Sequence, residues 1–283
     1  MLKVEKLSKR LNGFVLKDIS FHLPKGYIMG LVGENGAGKT TLLHCILDLY
    51  AQDAGVISID GMKYADYGPE IKNQIGYVLC EELFQGSMNL LQAADLYGSY
   101  YEHYQRSVFE RYCKRFGLNP EQKCKHLSKG EGMKLQLAFA LSHEPKLLIL
   151  DEPTANFDPE FQEEFFKILC EFVFDGEKSV LLATHITTDL DRYGDYITFL
   201  HKGELLFSMD RQQLEESYRM ISGEDYKINL LPKEEVIYKE KGAYGTRALV
   251  KYRRRYENNL DYVVETPTIE DVMYFIIKGR RGV

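Results

Sequence analysis

Gly33-Glu34-Asn35-Gly36-Ala37-Gly38-Lys39-Thr40-Thr41 is the stretch from which the rest of the chain is read. It fills the pattern G-x-x-x-x-G-K-[ST], with Gly33, Gly38, Lys39 and Thr40 at the fixed places. Glycines lack a Cβ, so successive backbone N–H groups can turn inward around a phosphate. The lysine brings a mobile charge to the β- and γ-phosphates, and the Thr40 hydroxyl is a ligand for Mg²⁺. The flanks agree. Tyr27-Ile-Met-Gly-Leu-Val32 is an apolar run, as in a strand covered on both faces. Thr40 to Asp48 then reads as a helix whose N-terminus faces the anion. A Gly-rich turn without a ligand is the plainer reading, and the strand before it and the helix after it argue against that.

Such a loop implies a nucleoside triphosphate and little more, because many unrelated activities are built on it. A second half-site stands at Lys146-Leu-Leu-Ile-Leu-Asp-Glu-Pro-Thr154. Leu147 to Leu150 form a buried strand with Asp151 and Glu152 at its end, where parallel α/β sheets bind ligands. Asp151 is placed to hold Mg²⁺ and Glu152 to polarise an attacking water. Neighbouring strand residues point opposite ways. Both carboxylates therefore face one nucleotide only if the backbone turns at Glu152, and Pro153 suits that turn. A solvated acidic strand end is the alternative when this segment is taken alone.

Between the two half-sites lies Leu127-Ser-Lys-Gly-Glu-Gly-Met-Lys134. With it the chain resembles an ABC-type ATPase, the nucleotide-binding subunit of an ATP-binding-cassette transporter. That family carries an LSGGQ signature ahead of a helix and a strand ending in Asp-Glu. Ser128 and Gly130 keep its chemistry, a hydroxyl and a close-approaching amide at a helix start. Lys129 and Glu131 depart from LSGGQ; LSKG is a variant within the family. Taken alone, the segment is a helix cap, with Ser128 before a helix from Glu131 to Leu141. The resemblance places a D-loop at Asn156-Phe-Asp158 and a phosphate-sensing histidine at His185, after the apolar strand Val180 to Thr184. It implies catalytic roles for Glu152, His185 and Lys39, with Thr40 and Asp151 on the metal. Ile75 to Leu79 match the strand before the family's glutamine, but that position holds Cys80, followed by Glu81 and Glu82. A thiol is a poor substitute for an amide. Either Glu81 reaches in or the contact is lost. Arg10, Leu11 and Phe14 compete for the adenine-stacking place, and Phe14 suits either the base or the core.

The fold implied is α/β: a P-loop NTPase (RecA-like) core, a small antiparallel β subdomain and a helical insertion over residues 86–140. The resemblance covers residues 1–208. Lys3–Leu7, Val15–Leu23 and a hairpin through Asp60-Gly61 are predicted for the small sheet. Apolar faces at Leu90, Leu91, Ala94, Leu96 and Tyr97, and at Val108, Phe109, Tyr112 and Phe116, predict two insertion helices. Asp158 caps a helix that ends at Gly176. Residues 209–283 read as a small appended α+β piece, with strands at Ala248–Tyr252 and Tyr262–Glu265 and a last helix opened by Thr268-Ile-Glu-Asp271. The basic runs Lys251–Arg255 and Lys278–Arg281 read as a solvated face, with anionic lipid or a partner as the alternative.

The chain has 283 residues, a formal net charge of −6 and five cysteines at 45, 80, 113, 124 and 170. The acidic balance argues against a nucleic-acid partner. Scattered, odd-numbered thiols point to a reducing compartment. No apolar run approaches membrane-spanning length and no secretory leader is legible. The resemblance therefore implies a cytoplasmic subunit, peripheral at the inner face of the membrane, bound to a separately encoded permease. ATP and Mg²⁺ are its cofactors, and it pairs as a homodimer or with another ATPase subunit. The LSKG variant and short single cassette resemble exporter subunits. A soluble ABC-type ATPase of translation or DNA repair is the alternative, disfavoured by the single cassette and the lack of sustained heptads.

Overall fold

A computed structural model describes all residues except 82, 244, 257–260, 282 and 283, together with the Arg281 side chain. The chain divides into two compact units, one of Met1–His185 with Asp195–Ser208 and one of Ile186–Gly194 with Met209–Val283.

The first unit begins with strands β1 (Leu2–Leu11), β2 (Phe14–Leu23) and β3 (Ile28–Val32), then helix α1 (Lys39–Ile46). Strands β4 (Ala54–Ile59) and β5 (Met62–Lys63), helix α2 (Tyr64–Asn73) and strand β6 (Ile75–Val78) follow. Helices α3 (Leu90–Gly98), α4 (Arg106–Arg115) and α5 (Lys129–Ser142) make the helical insertion. Strand β7 (Leu147–Asp151), helix α6 (Pro159–Val173) and strand β8 (Ser179–Thr184) complete the phosphate-binding core. Helix α7 (Leu190–Tyr193) belongs to the second unit, and β9 (Tyr196–His201) and β10 (Glu204–Asp210) return to the sheet.

The ten strands run in the order β5-β4-β1-β2-β10-β9-β3-β8-β7-β6. One end is antiparallel, β1 pairing with β2 and β4, and β4 with β5. The other end is parallel through β9, β3, β8, β7 and β6. Every residue of β3, β7 and β8 is buried. This is why the interiors of these strands read as apolar runs, with polar residues only at the ends of β7 and β8, since a parallel sheet is covered on both faces. β1 and β2 alternate instead, and they extend beyond the predicted Lys3–Leu7 and Val15–Leu23 across register shifts near Leu7. Parallel order puts the ends of β3, β7, β8 and β6 on one edge, which is where the candidate site residues lie.

The second unit adds α8 (Arg211–Ser217), β11 (Tyr218–Gly223), α9 (Asp225–Asn229), β12 (Val236–Gly242), β13 (Gly245–Lys251), β14 (Val263–Glu265) and α10 (Ile269–Arg281). Its antiparallel sheet has the order β12-β13-β11-β14. Ile221, Ile228, Leu231, Ala248, Val250 and Tyr256 form its core. Thr268 and Asp271 cap α10 reciprocally. Part of the basic run is spent internally: Glu235, 8% exposed, holds Arg253 at 3.5 Å and Arg255 at 2.5 Å and accepts from the Tyr256 hydroxyl.

Candidate nucleotide site

The loop after β3 is shaped by contacts that exclude side chains. A Cβ on Gly33 would stand 2.3 Å from the Leu200 carbonyl oxygen. Gly36 and Gly38 have φ of +80° and +107°, in the region that favours glycine. A Cβ on Gly38 would meet Phe14 Cζ at 2.5 Å and a Leu16 methyl at 2.8 Å. Phe14 is thus half-buried, its ring edge packed beneath the loop and against the core. Glu34, Asn35 and Gly36 are exposed, Ala37 is buried, and Thr41 is half-buried on α1. The Lys39 side chain is only 6% exposed; its ammonium donates to the Gly33 carbonyl at 2.8 Å and lies 3.2 Å from Glu152 Oε1.

Across from Lys39, the backbone turns at Glu152, which adopts φ 47°, ψ 43°. A left-handed glutamate is uncommon and costs of order 1–3 kcal/mol. It is held by Pro153 on one side and by its own N–H, which donates to the Ala183 carbonyl at 2.9 Å on the neighbouring β8. The turn points the Glu152 carboxylate toward His185: Nδ1 of the imidazole lies 2.8 Å from Oε2, and the His185 N–H donates to the same oxygen at 3.2 Å. Thus Lys39, Glu152 and His185 come together from the segments that follow three parallel strands, β3, β7 and β8.

Thr40 Oγ1 donates to Asp151 Oδ2 at 2.7 Å. Asp151 Oδ1 is buried and accepts no hydrogen bond. Burial chiefly, and the Glu152 charge next, push the Asp151 carboxyl above its usual range, against the opposing Thr40 bond and Lys39 charge. A buried oxygen left unpaired beside an exposed hydroxyl is the donor set a hard divalent cation takes, so the residues fit Mg²⁺.

The segment after β6 holds the departure noted in the sequence. Cys80 Sγ donates to the Asp151 carbonyl at 3.4 Å, and burial first, then the Asp151 and Glu152 charges, raise its pKa. The Glu81 side chain is exposed, and Glu82 lies outside the described residues. One functional neighbour is missing from the sequence reading: Gln136, buried on α5, accepts from Leu79 N–H and donates to the Glu81 carbonyl, both at 2.8 Å. The signal that marks it is a lone amide inside the otherwise apolar stretch Leu135–Leu141.

Ser128 is the N-cap of α5 and forms a full capping box with Glu131: each donates its N–H to the other's side chain, at 2.8 and 3.2 Å. Glu131, a departure from the family's glutamine, thus keeps the capping geometry. A Cβ on Gly130 would stand 2.5 Å from the Asn156 carbonyl oxygen, so glycine there lets the D-loop pass. Asp158 caps α6 at the Phe161 N–H, 2.9 Å away, and lies 3.5 Å from Lys134.

A loop of this shape on a parallel sheet, with a carboxylate pair at the neighbouring strand end and a capped signature helix, defines a P-loop ATPase of the cassette type. Residues 16–155 match the family model described as ABC transporter. The chain is 30% identical over 239 residues to the ABC transporter ATP-binding protein YtrB of Bacillus subtilis (strain 168), covering 84% of this chain and 82% of that one. It is 29% identical to the phosphonates import ATP-binding protein PhnC of Wolinella succinogenes, over 76% of this chain and 86% of that one. A solved structure described as an ATP binding subunit of an ABC transporter superposes with a TM-score of 0.70 at 27% identity, covering 76% of this chain and 92% of that one. The chain belongs to the ATP-binding proteins of ABC transporters, and it is an ATPase.

Proposed function

We propose that the chain is the ATP-hydrolysing subunit of a membrane exporter, working at the cytoplasmic face as a pair of cassettes. The observation that carries the hydrolytic part is the Lys39–Glu152–His185 cluster at the end of the parallel sheet. The inward N–H groups of Gly33–Thr41 wrap the phosphates, and Lys39 leaves Glu152 for the γ-phosphate. Glu152, released from the ammonium, accepts a proton from the attacking water. His185 steadies the Glu152 carboxylate and donates to the γ-phosphate as charge develops on it. Thr40 and Asp151 would hold Mg²⁺, which would supply positive charge to offset that of the phosphates. Phe14, with its ring edge under Gly38, offers its remaining face to the adenine.

Ser128 and Gly130 stand at the start of α5, where helix N–H groups and the macrodipole favour an anion. In the pair, these groups of one subunit meet the nucleotide held by the other, and the partner is a second copy or a related cassette. Family membership supports that arrangement, because cassettes carry the signature for use in trans.

The permease docks at a cavity of about 560 Å³ bordered by Tyr77, Phe84, Tyr97, Tyr101, Phe139 and His143. Among the described residues no helix is long and apolar enough to cross a membrane; membership of a family whose cassettes work with membrane permease subunits supports a separate chain for the passage. Export rests on the LSKG signature and the short cassette. One relative is named for phosphonate import, so family membership alone does not fix the direction. Turnover per molecule measured against dilution tests the pair. The reading requires it to fall as dimers dissociate, and a flat profile sinks it. Inside-out vesicles carrying the cassette and its permease test direction, with ATP-driven cargo uptake into the lumen reporting export.

A further inference from the structure

Gln136 is a neutral amide on a helix whose neighbouring buried positions are Met133, Leu135, Leu137 and Ala140, and it is 5% exposed. Both ends of its side chain are used. Oε1 accepts from Leu79 N–H and Nε2 donates to the Glu81 carbonyl, each at 2.8 Å. A carboxamide can accept from one peptide group and donate to another, so it holds this segment as a neighbouring strand would. Cys80 lies between the two contacts and reaches the Asp151 carbonyl at 3.4 Å. On the helix side, Gln136 stands about 12 Å along the axis from Ser128. It borders both the aromatic cavity and a second cavity of about 370 Å³ shared with Cys80, Ser128 and Asn156.

The geometry points to Gln136 as a positioning residue that fixes residues 79–81 to the signature helix, so that α5 and the Asp151 strand end move as one body when the aromatic cavity is loaded. The inference rests on the docking and hydrolysis roles proposed above. Breaking the clamp with an apolar side chain leaves the Leu79 N–H and Glu81 carbonyl without their partner, while Lys39 and the glycine loop keep all of theirs.

Gln136→Met preserves volume and removes both hydrogen bonds; Gln136→Ala is the second variant should the first fail to fold. Amide hydrogen exchange of the full chain, without nucleotide or permease, is expected to quicken about tenfold or more at Leu79 and its neighbours, the worth of one buried hydrogen bond. Peptides from α1 and β8 are expected to exchange as in the wild type. In steady-state assays kcat is expected to fall about tenfold with the KM for ATP within about twofold, because substrate binding is untouched. Unchanged exchange at residues 79–81 overturns the inference. So does quickening spread evenly over α5 and the core, which marks a packing role only. Full kcat despite local loosening overturns it as well. The exchange experiment contains no ATP and no permease, so its failure is distinct from a failure of the proposed function.

Discussion

The Lys39 ammonium lies 3.2 Å from Glu152 Oε1, inside a site where both side chains are largely buried. In the proposed mechanism the same cation goes to the γ-phosphate and the same carboxylate acts as the base. Binding substrate is then expected to break an ion pair and free the proton acceptor in one exchange.

Removal of either partner is expected to separate the two roles. Lys39→Ala weakens ATP binding by about 10- to 100-fold, the range of a hydrogen bond to a charged group, in a calorimetric titration. Glu152→Gln keeps binding and slows turnover by about 10²–10⁴-fold, as for a lost general base, while gel filtration with ATP shows dimers accumulating. Wild-type turnover in Glu152→Gln removes this residue from the mechanism.

Two glycines of one loop are expected to differ. Gly36 has open space around its missing Cβ and a φ of +80°, so Gly36→Ala costs only the left-handed penalty of about 1–2 kcal/mol. At Gly33 the obstacle is the Leu200 carbonyl oxygen at 2.3 Å. Gly33 has no left-handed φ, but backbone cannot swing aside as a side chain does, so Gly33→Ala incurs an overpacking cost at or above the upper end of about 1–3 kcal/mol and displaces the loop. Urea melts and ATP titrations of the pair check the order; equal losses contradict it.

Much of this was legible in the residues, and the parts that were not have physical causes. β3, β7 and β8 announce themselves because burial on both faces leaves no polar break. The turn at Glu152 follows from Pro153 and from the need to aim two adjacent carboxylates at one ligand. Helix α2 is hidden because Gly68 and Pro69 lie inside it and Tyr67 leaves helical geometry, with φ −136°. Gln136 is hidden because its partners are backbone groups of a distant segment, which no side-chain pattern encodes. The segment at Cys80 is readable as a departure, but only the Asp151 contact shows where the thiol turns.

Acid is expected to weaken the fold through His143. Burial lowers its pKa from 6.5 to about 4, and its ring stacks on Tyr101 at 4.0 Å between centroids. The unfolded chain takes up the proton first, so stability is lost as pH falls from about 6.5 to about 4, by at most about 3 kcal/mol. His143→Phe is expected to flatten that part of the stability–pH curve in denaturant melts at pH 7 and pH 4.5. An unchanged slope assigns the acid sensitivity elsewhere.

Docking at the aromatic cavity is expected to fail without harm to the catalytic end. Tyr100 borders that cavity and is 77% exposed, so Tyr100→Asp disturbs little packing. Basal ATPase activity stays at the wild-type level, and capture of the cognate permease drops by about tenfold or more, as for an interface anchor. Full capture moves the docking surface elsewhere.

The second unit is stitched from two separated stretches, and the shorter begins at Ile186, directly after His185. There the Arg211 guanidinium donates to the Leu190 carbonyl, and Ile269 N–H donates to the Asp191 carboxylate. Trimming the protein after residue 208 would tear both supports from the peptide that follows His185. Such a shortened protein would carry Ile186–Gly194 as an orphan, cut off from the unit it packs in.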